Sequence, residues 1–412
     1  MAFKRQESKR GTICLSTGTG KSKVAIDFIK EETSILDVLI TSPRTNLKEN
    51  WRKELTKWGL IEWGEEIWVW NHRHVRIFIE NVQTAYKWKD REFDFIIADE
   101  IHTMVTPEYS SVFEIKAEWI MGLTATHDIT DKNDKQYYYD KYCPVIYEYY
   151  ESAEDGLINK TRFFIVEHEL GDHPTKAGTK KMPFMTTEAK NYEFLTRRIK
   201  EGQAAMMAEG SQDWFTDAAN WFWNNMGSPS EKHAAMKYLN SIKARKEFLL
   251  SLSSTASLAR MIKNGILASL PGSKVLIFSE LTKQIERITG LTVHSHNSEE
   301  KNLQRIEDYN EGLIRELGSC QSLTLGLNLK GATHGIMESY VGSETRSKQK
   351  KGRLDRLGTD DVADMWFILV KGTQSEKWFE SMVKGFDLSE AIYINSKKIM
   401  HDEFDYTTSQ IK

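Results

Sequence analysis

Ser16-Thr17-Gly18-Thr19-Gly20-Lys21-Ser22 has the makeup of a loop that holds a triphosphate. Gly18 and Gly20 let backbone N–H groups close around phosphate oxygens, with Thr17 before them and Thr19 between them. Lys21 supplies charge for the β and γ phosphates, and the Ser22 hydroxyl suits Mg2+. Leu15 stands where the general G-x-x-x-x-G-K-S/T pattern places its first glycine, so only the core of that pattern is present. Asp99-Glu100-Ile101-His102 follows the apolar run Phe95-Ile96-Ile97-Ala98. That order sets two carboxylates at a strand end, Asp99 to hold Mg2+ directly or through water and Glu100 to orient and activate an attacking water. Far down the chain, Gln349-Lys350-Lys351-Gly352-Arg353-Leu354-Asp355-Arg356 carries two arginines three positions apart, on one face of a helical turn. Guanidiniums so placed suit a γ-phosphate and contribute ~10³–10⁵ in rate in related phosphoryl transfers. Read alone, the same segment is a solvated basic face.

These groups need strands that end where the chemistry is. From Gly11 to Val145 short apolar runs alternate with amphipathic stretches, the pattern of a parallel sheet covered by helices. Strands are expected at Thr12 to Leu15, Leu36 to Thr41, Arg76 to Ile79, Phe93 to Ala98 and Trp119 to Leu123, with a helix from Lys21 to Lys30. Ligands of open α/β sheets bind beyond the carboxyl ends of the strands, which is where the glycine loop and Asp99-Glu100 fall. The acidic stretch Glu151 to Asn159 reads as a turn, followed by a linker strand through Thr161 to Leu170. Residues Thr186 to Ala244 read as helical and aromatic-rich, including Trp214, Phe215, Trp221, Phe222 and Trp223. Helix core is the plain reading of these aromatics; a stacking or wedge surface for bases is the sharper one. The α/β rhythm resumes with strands at Lys274 to Ser279, Thr292 to His296, Met337 to Tyr340 and Asp364 to Val370, and helices at Lys283 to Ile288, Glu299 to Glu311 and Ser375 to Lys384. The expected division is 1–150 for a first lobe, 151–172 for a linker, 173–245 for a helical insertion and 246–412 for a second lobe.

Composition agrees with a folded multidomain chain: 412 residues, 40% hydrophobic and 28% charged. A net charge of −3 neither demands nor excludes a nucleic-acid partner. Cys14, Cys143 and Cys320 are far apart and form no C-x-x-C pair, so a disulfide framework or zinc site is not suggested and a reducing interior fits. The basic, polar start of the chain has no apolar run behind it long enough for a signal peptide or membrane span, which leads to an expected cytoplasmic location without membrane association.

Taken in order, these pieces resemble the superfamily 2 helicases with a D-E-x-H box, over nearly the whole chain. Ser16 to Ser22 is similar to their motif I, Thr41-Ser42-Pro43-Arg44 to motif Ia, Asp99 to His102 to motif II and Gly122-Leu123-Thr124-Ala125-Thr126 to motif III. Lys274 to Glu280 is similar to motif IV, Gly326-Leu327-Asn328-Leu329 to motif V, and the segment from Gln349 to motif VI. The resemblance implies two RecA-like lobes with a helical insertion between them, and ATP with Mg2+ as cofactors. Thr124 and Thr126 would couple the nucleotide site to nucleic acid. Gly326 would allow close backbone approach to the nucleotide, and Asn328 would bond across the cleft. Arg356 would be the main arginine finger, with Arg353 beside it and Gln349 at the lobe interface. Pro43, Arg44, Gln83 and Thr84 would touch the nucleic-acid backbone, and Gln6 is the candidate for reading adenine. Small phage-encoded helicases of the UvsW type are similar in size.

The expected activity is ATP-dependent movement on, or remodelling of, DNA that is branched in some substrates. RNA as the track, duplex translocation without strand separation, and a nucleotide-gated scaffold without turnover are the rivals.

Overall fold

The computed structural model describes residues 3–15, 19–43, 47–125, 127, 134–149, 160–178, 182–320, 329–341, 362–384 and 386–407. The chain divides into two compact units, the first built mainly of residues up to Thr161 and the second mainly of those from Arg162 onward.

The strands of the first unit are β1 (Arg10–Leu15), β2 (Asp37–Ser42), β3 (Ile61–Gly64), β4 (Ile67–Trp70), β5 (Arg73–Asn81), β6 (Phe93–Asp99), β7 (Ala117–Thr124) and β8 (Val145–Tyr149). They form one sheet in the order β3-β4-β5-β2-β6-β7-β1-β8. From β5 to β8 the pairing is parallel, and β3 and β4 extend one edge as an antiparallel hairpin. β2 and β6 are buried almost end to end, as strands covered on both faces must be, so their sequences read as unbroken apolar runs. Helix α1 (Lys21–Glu31) turns Ala25, Ile26, Phe28 and Ile29 inward. Phe28 meets Phe3, Phe95 and Trp119 edge-on at ring separations of 5.1, 5.1 and 5.2 Å. This aromatic cluster fixes α1, and with it the position of Lys21. The unit also contains α2 (Leu47–Lys57) and α3 (Lys135–Tyr142).

The second unit has β9 (Lys160–Glu169), a separate hairpin of β10 (Pro174–Gly178) and β11 (Pro183–Thr187), and then β12 (Val275–Ser279), β13 (Thr292–Val293), β14 (Glu316–Cys320), β15 (His334–Met337), β16 (Val362–Lys371) and β17 (Ile392–Asn395). Its main sheet runs β13-β14-β12-β15-β16-β9-β17. The linker strand expected through Thr161 to Leu170 is thus β9, a member of this sheet between β16 and β17. Phe164 of β9 stacks on Trp366 of β16 at 4.3 Å, and Arg162 pairs with the buried Asp364 at 2.8 Å. Helices α4 (Glu188–Ala208), α5 (Trp214–Ala218) and α6 (Pro229–Leu250) make up the insertion, with α6 running past the expected end at 245. Helices α7 (Ser253–Ser269), α8 (Thr282–Ile288), α9 (Glu299–Glu311), α10 (Gln374–Met382) and α11 (Ser396–Met400) follow. Two expected strands differ. The one placed at Met337 to Tyr340 starts three residues earlier, at His334, and the one from Thr292 stops at Val293 because His294 enters a turn closed by the Asn297 N–H on its carbonyl.

Candidate nucleotide site

The carboxyl ends of β5, β2, β6, β7 and β1 are neighbours in that order, so the first-unit candidates line up along one rim of its sheet. At one end Gln83 is exposed in an Asx turn, its N–H donating to Asn81 Oδ1 at 2.9 Å. Thr84 Oγ1 donates to Glu80 Oε2 and the Asn81 carbonyl, so its hydroxyl serves the turn itself. This turn is joined to the end of β2 by Val82 N–H donating to the Ser42 carbonyl at 2.8 Å, which puts half-buried Pro43 beside it. Thr41 Oγ1 and Ser42 Oγ are buried there with no hydrogen-bond partner among the described residues.

Asp99 closes β6 and is 9% exposed. Trp51 Nε1–H, from α2, donates to Asp99 Oδ2 at 3.0 Å, and the Glu100 N–H donates to Oδ1 at 3.1 Å. Burial, reinforced by the charge of Glu100, pushes the Asp99 carboxyl up to about 7, against the pull of the Trp51 bond and the Lys21 charge. Trp51 was not foreseen in the sequence, although Leu47, Trp51 and Leu55 recur every fourth residue and mark an apolar stripe on a charged helix.

Glu100 sits at φ 56°, ψ 44°, a left-handed conformation that costs a non-glycine residue ~1–3 kcal/mol and clusters at functional sites. That bend lets the chain leave β6 into the short turn Ile101–Thr103 and returns His102 to the sheet. His102 Nδ1 lies 2.9 Å from Thr124 Oγ1 at the end of β7, and 3.4 Å from Glu100 Oε2. Glu100 Oε2 is buried and has no hydrogen-bond partner among the described residues. Gly122 makes this possible: a Cβ there would sit 2.5 Å from Ile101 Cδ1 and 2.6 Å from Thr12 Oγ1.

After β1, Gly20 adopts φ 91° and opens α1, whose first turn has no side-chain cap. Its N-terminal N–H groups are oriented as an anion site requires. Lys21 Nζ donates to the Leu15 carbonyl at 3.1 Å, which folds the side chain back over the end of β1, and half-buried Ser22 follows. Thr17, Gly18, Arg44, Thr126, Gly326, Asn328, Gln349, Arg353 and Arg356 lie outside the described residues. In the second unit, the end of β12 meets a buried carboxylate that the sequence did not announce. Glu338 accepts from Thr255 Oγ1 at 2.6 Å and from Gln284 Nε2 and Ser279 Oγ at 2.9 Å, and burial raises its pKa.

Two family descriptions match the chain in succession: "Type III restriction enzyme, res subunit" over residues 1–129 and "Helicase conserved C-terminal domain" over 256–358. The chain thus carries matches to both parts of a helicase core. It is accordingly a nucleic-acid-dependent ATPase of helicase type, built on two RecA-like lobes. The DNA 3'-5' translocase XPB2 of Sulfurisphaera tokodaii is 23% identical over 388 residues, which cover 89% of this chain and 79% of that protein. Among solved structures, the helicase domain of Pyrococcus furiosus Hef aligns with a TM-score of 0.50 at 14% identity, covering 91% of this chain and 96% of that one. Dbp5 of S. cerevisiae bound to RNA and ADP–beryllium fluoride aligns at 0.55 and 12% identity, covering 96% and 88%. At these identities the two structures speak for the fold of this helicase alone. No described helix of the helicase is long and apolar enough to cross a membrane.

Proposed function

We propose that this helicase couples ATP hydrolysis to movement on DNA, and that the rim of the first sheet is where the two are joined. The observation that carries the reading is the cluster at the end of β6. There a buried carboxylate near Lys21 is adjacent to a second one held in a strained conformation and linked through His102 to Thr124. The donor set fits a magnesium nucleotide. A glycine-opened helix N-terminus would face phosphate, Ser22 and Asp99 offer oxygen ligands, and Glu100, whose Oε2 lies 3.4 Å from His102 Nδ1 and has no hydrogen bond among the described residues, would orient a water. Bound Mg2+ would neutralise charge developing on the β and γ phosphates. Lys21 binds those phosphates, Glu100 orients the water and takes its proton, and Thr124 and Thr126 pass the state of the site to the rim. Thr17, Gly18, Thr19 and Gly20 wrap the phosphates. The second lobe supplies Arg356, Arg353 and Gln349, with Gly326 and Asn328 near the nucleotide.

Pro43, Arg44, Gln83 and Thr84 contact the DNA backbone, which orients the track without reading sequence. The named activity of the Sulfurisphaera tokodaii relative supports DNA over RNA and makes 3'-5' the polarity to test first. A role in remodelling branched DNA, as in UvsW-type phage helicases with a D-E-x-H box, is the narrower form of the proposal. In functional terms 1–150 and 246–412 are the two lobes of the motor, 151–172 links them and 173–245 is an insertion on it.

The test is an ATPase panel with single-stranded, duplex and forked DNA and with RNA. Strand-displacement and triplex-displacement assays run beside it, because a duplex translocase scores in the second and not the first. Turnover stimulated by RNA and not DNA would move the track to RNA. No turnover with any nucleic acid, despite nucleotide binding, would leave only a scaffold.

A further inference from the structure

The insertion carries a surface that the nucleotide chemistry does not use. Between α4 and α6, α5 runs into a single π turn, Ala219–Trp223. Such i→i+5 turns are rare and recur at functional sites. Trp221 points inward and packs with Ile199, Met206, Ala218, Ala234 and Tyr238. The neighbouring apolar side chains do the opposite: Trp214 is 36% exposed, Phe215 48%, Phe222 42%, Trp223 62% and Met226 73%. The expectation that these aromatics form helix core therefore holds for Trp221 and fails for the other four. Exposed aromatics this close together in the chain, with an adaptable methionine, are the makeup of a binding hot spot.

The presentation is built and not a loose loop. Asp217 accepts from Ser211 Oγ at 2.7 Å and from the N–H groups of Gln212 and Asp213 at 3.0 and 3.1 Å. Asp213 caps α5, Ser228 and Glu231 form a reciprocal capping box on α6, and Gly227 lies so close to Trp221 that a Cβ would sit 2.8 Å from that residue's own. Charge then selects the occupant. From Glu201 to Glu231 the chain carries Glu201, Glu209, Asp213, Asp217 and Glu231 and neither lysine nor arginine, with Lys200 and Lys232 directly outside that span, so carboxylates outnumber cations there five to two. Hydrogen bonds from Thr216, Ser211 and Ser228 hold Asp213, Asp217 and Glu231 below the usual carboxylate range, so the rim stays anionic. A nucleic-acid platform requires the reverse, cations beside its stacking rings.

We propose that this aromatic face docks a protein partner that presents apolar side chains flanked by lysine and arginine. The acidic rim attracts such a surface and repels the motor's own track. The experiment uses the full chain, with fluorescence anisotropy of a labelled amphipathic leucine–lysine peptide, its leucine–glutamate counterpart and labelled oligothymidylate. The variants are Phe215→Ser, Trp223→Ser and both together. The leucine–lysine peptide should bind, weaken with salt and lose at least about tenfold in affinity in the double variant, worth about 1.4 kcal/mol. The counterpart should not bind, and nucleic-acid-stimulated ATPase should stay at its parental value, which reports an intact fold. Three results would each overturn the proposal: equal peptide binding by parent and double variant, a loss of oligothymidylate affinity on replacing Trp223, or self-association of the chain that the double variant abolishes.

Discussion

Trp51→Phe isolates one bond in the candidate site. The indole N–H donates to Asp99 Oδ2 at 3.0 Å, and both side chains are nearly or fully buried, so no solvent donor replaces it. A hydrogen bond to a charged group is worth about 1.5–3 kcal/mol. At 1.36 kcal/mol per pKa unit, losing it raises the carboxyl by about one to two units above its present value, which is about 7. The sign follows from linkage. Burial holds the folded-state carboxyl above its unfolded value of about 3.9, so the folded protein binds more protons across that interval. The stabilisation from this group is complete at acid pH and declines as pH rises from about 4 to 7; in the variant the decline continues for about one to two units more. Thermal unfolding in chelator, measured across neutral pH, reads the shift without metal. The acid limb of the nucleic-acid-stimulated ATPase should move to higher pH by the same amount, because the site requires the carboxylate ionised. A folded Trp51→Phe protein whose ATPase limb and unfolding profile both coincide with those of the parent would refute the role given to the indole.

Lys21→Ala should weaken nucleotide binding by at least about tenfold, or ~1.4 kcal/mol, read by titration with a fluorescent ATP analogue. Glu100→Gln should leave that affinity near the parental value while turnover falls by about 10²–10⁴, the usual worth of a general base; normal turnover would remove Glu100 from the role. Arg356→Ala should lower ATP turnover by ~10³ or more while sparing DNA affinity, and a matching loss in a DNA-binding titration would show that the arginine holds the track instead. Thr124→Val leaves the buried His102 Nδ1 without its hydroxyl, at about 1–3 kcal/mol in stability, and should cut the ratio of DNA-stimulated to basal ATPase more than the basal rate itself.

Of the first lobe's strands, β1, β2, β5, β6 and β7 were legible because their apolar runs are largely buried, so that Phe95-Ile96-Ile97-Ala98 could hardly be anything else, whereas the exposed or partly exposed β3, β4 and β8 have no such buried run. Asp99 and Glu100 were legible because polar residues directly after such a run must lie at a sheet's rim. Less visible was what surrounds them. Trp51 belongs to a helix whose mostly charged sequence obscures a stripe of one apolar residue per turn, and nothing local links it to a residue 48 positions later. The strand at Lys160–Glu169 was expected, but its place in the second sheet was not, because its partners, such as Trp366 and Asp364, lie about two hundred positions away and pairing of that range leaves no local mark. Which aromatics of the insertion point outward stayed open for a related reason. A π turn shifts the phase of the helix, and a 3.6-residue period cannot tell which of Trp221, Phe222 and Trp223 points inward.

In the proposed mechanism the connection between hydrolysis and the rim would run through one ring nitrogen. His102 Nδ1 lies within reach of both Thr124 Oγ1 and Glu100 Oε2, yet in a neutral imidazole it carries either a proton or a lone pair. With a lone pair it accepts from the Thr124 hydroxyl, and Glu100 Oε2 keeps its lone pairs for a water. With a proton it donates to one acceptor at a time, and a bond to Glu100 takes up the oxygen that the water needs. Whatever moves the end of β7 relative to β6 therefore shifts the balance between these two bonds, and with it the availability of the base. On the proposed contacts, DNA at the ends of β2 and β5 would act on the same sheet, with β6 lying between β2 and β7. A link of this kind gives nucleic-acid stimulation without any contact between DNA and nucleotide, and it predicts that the stimulation, more than the basal rate, depends on Thr124.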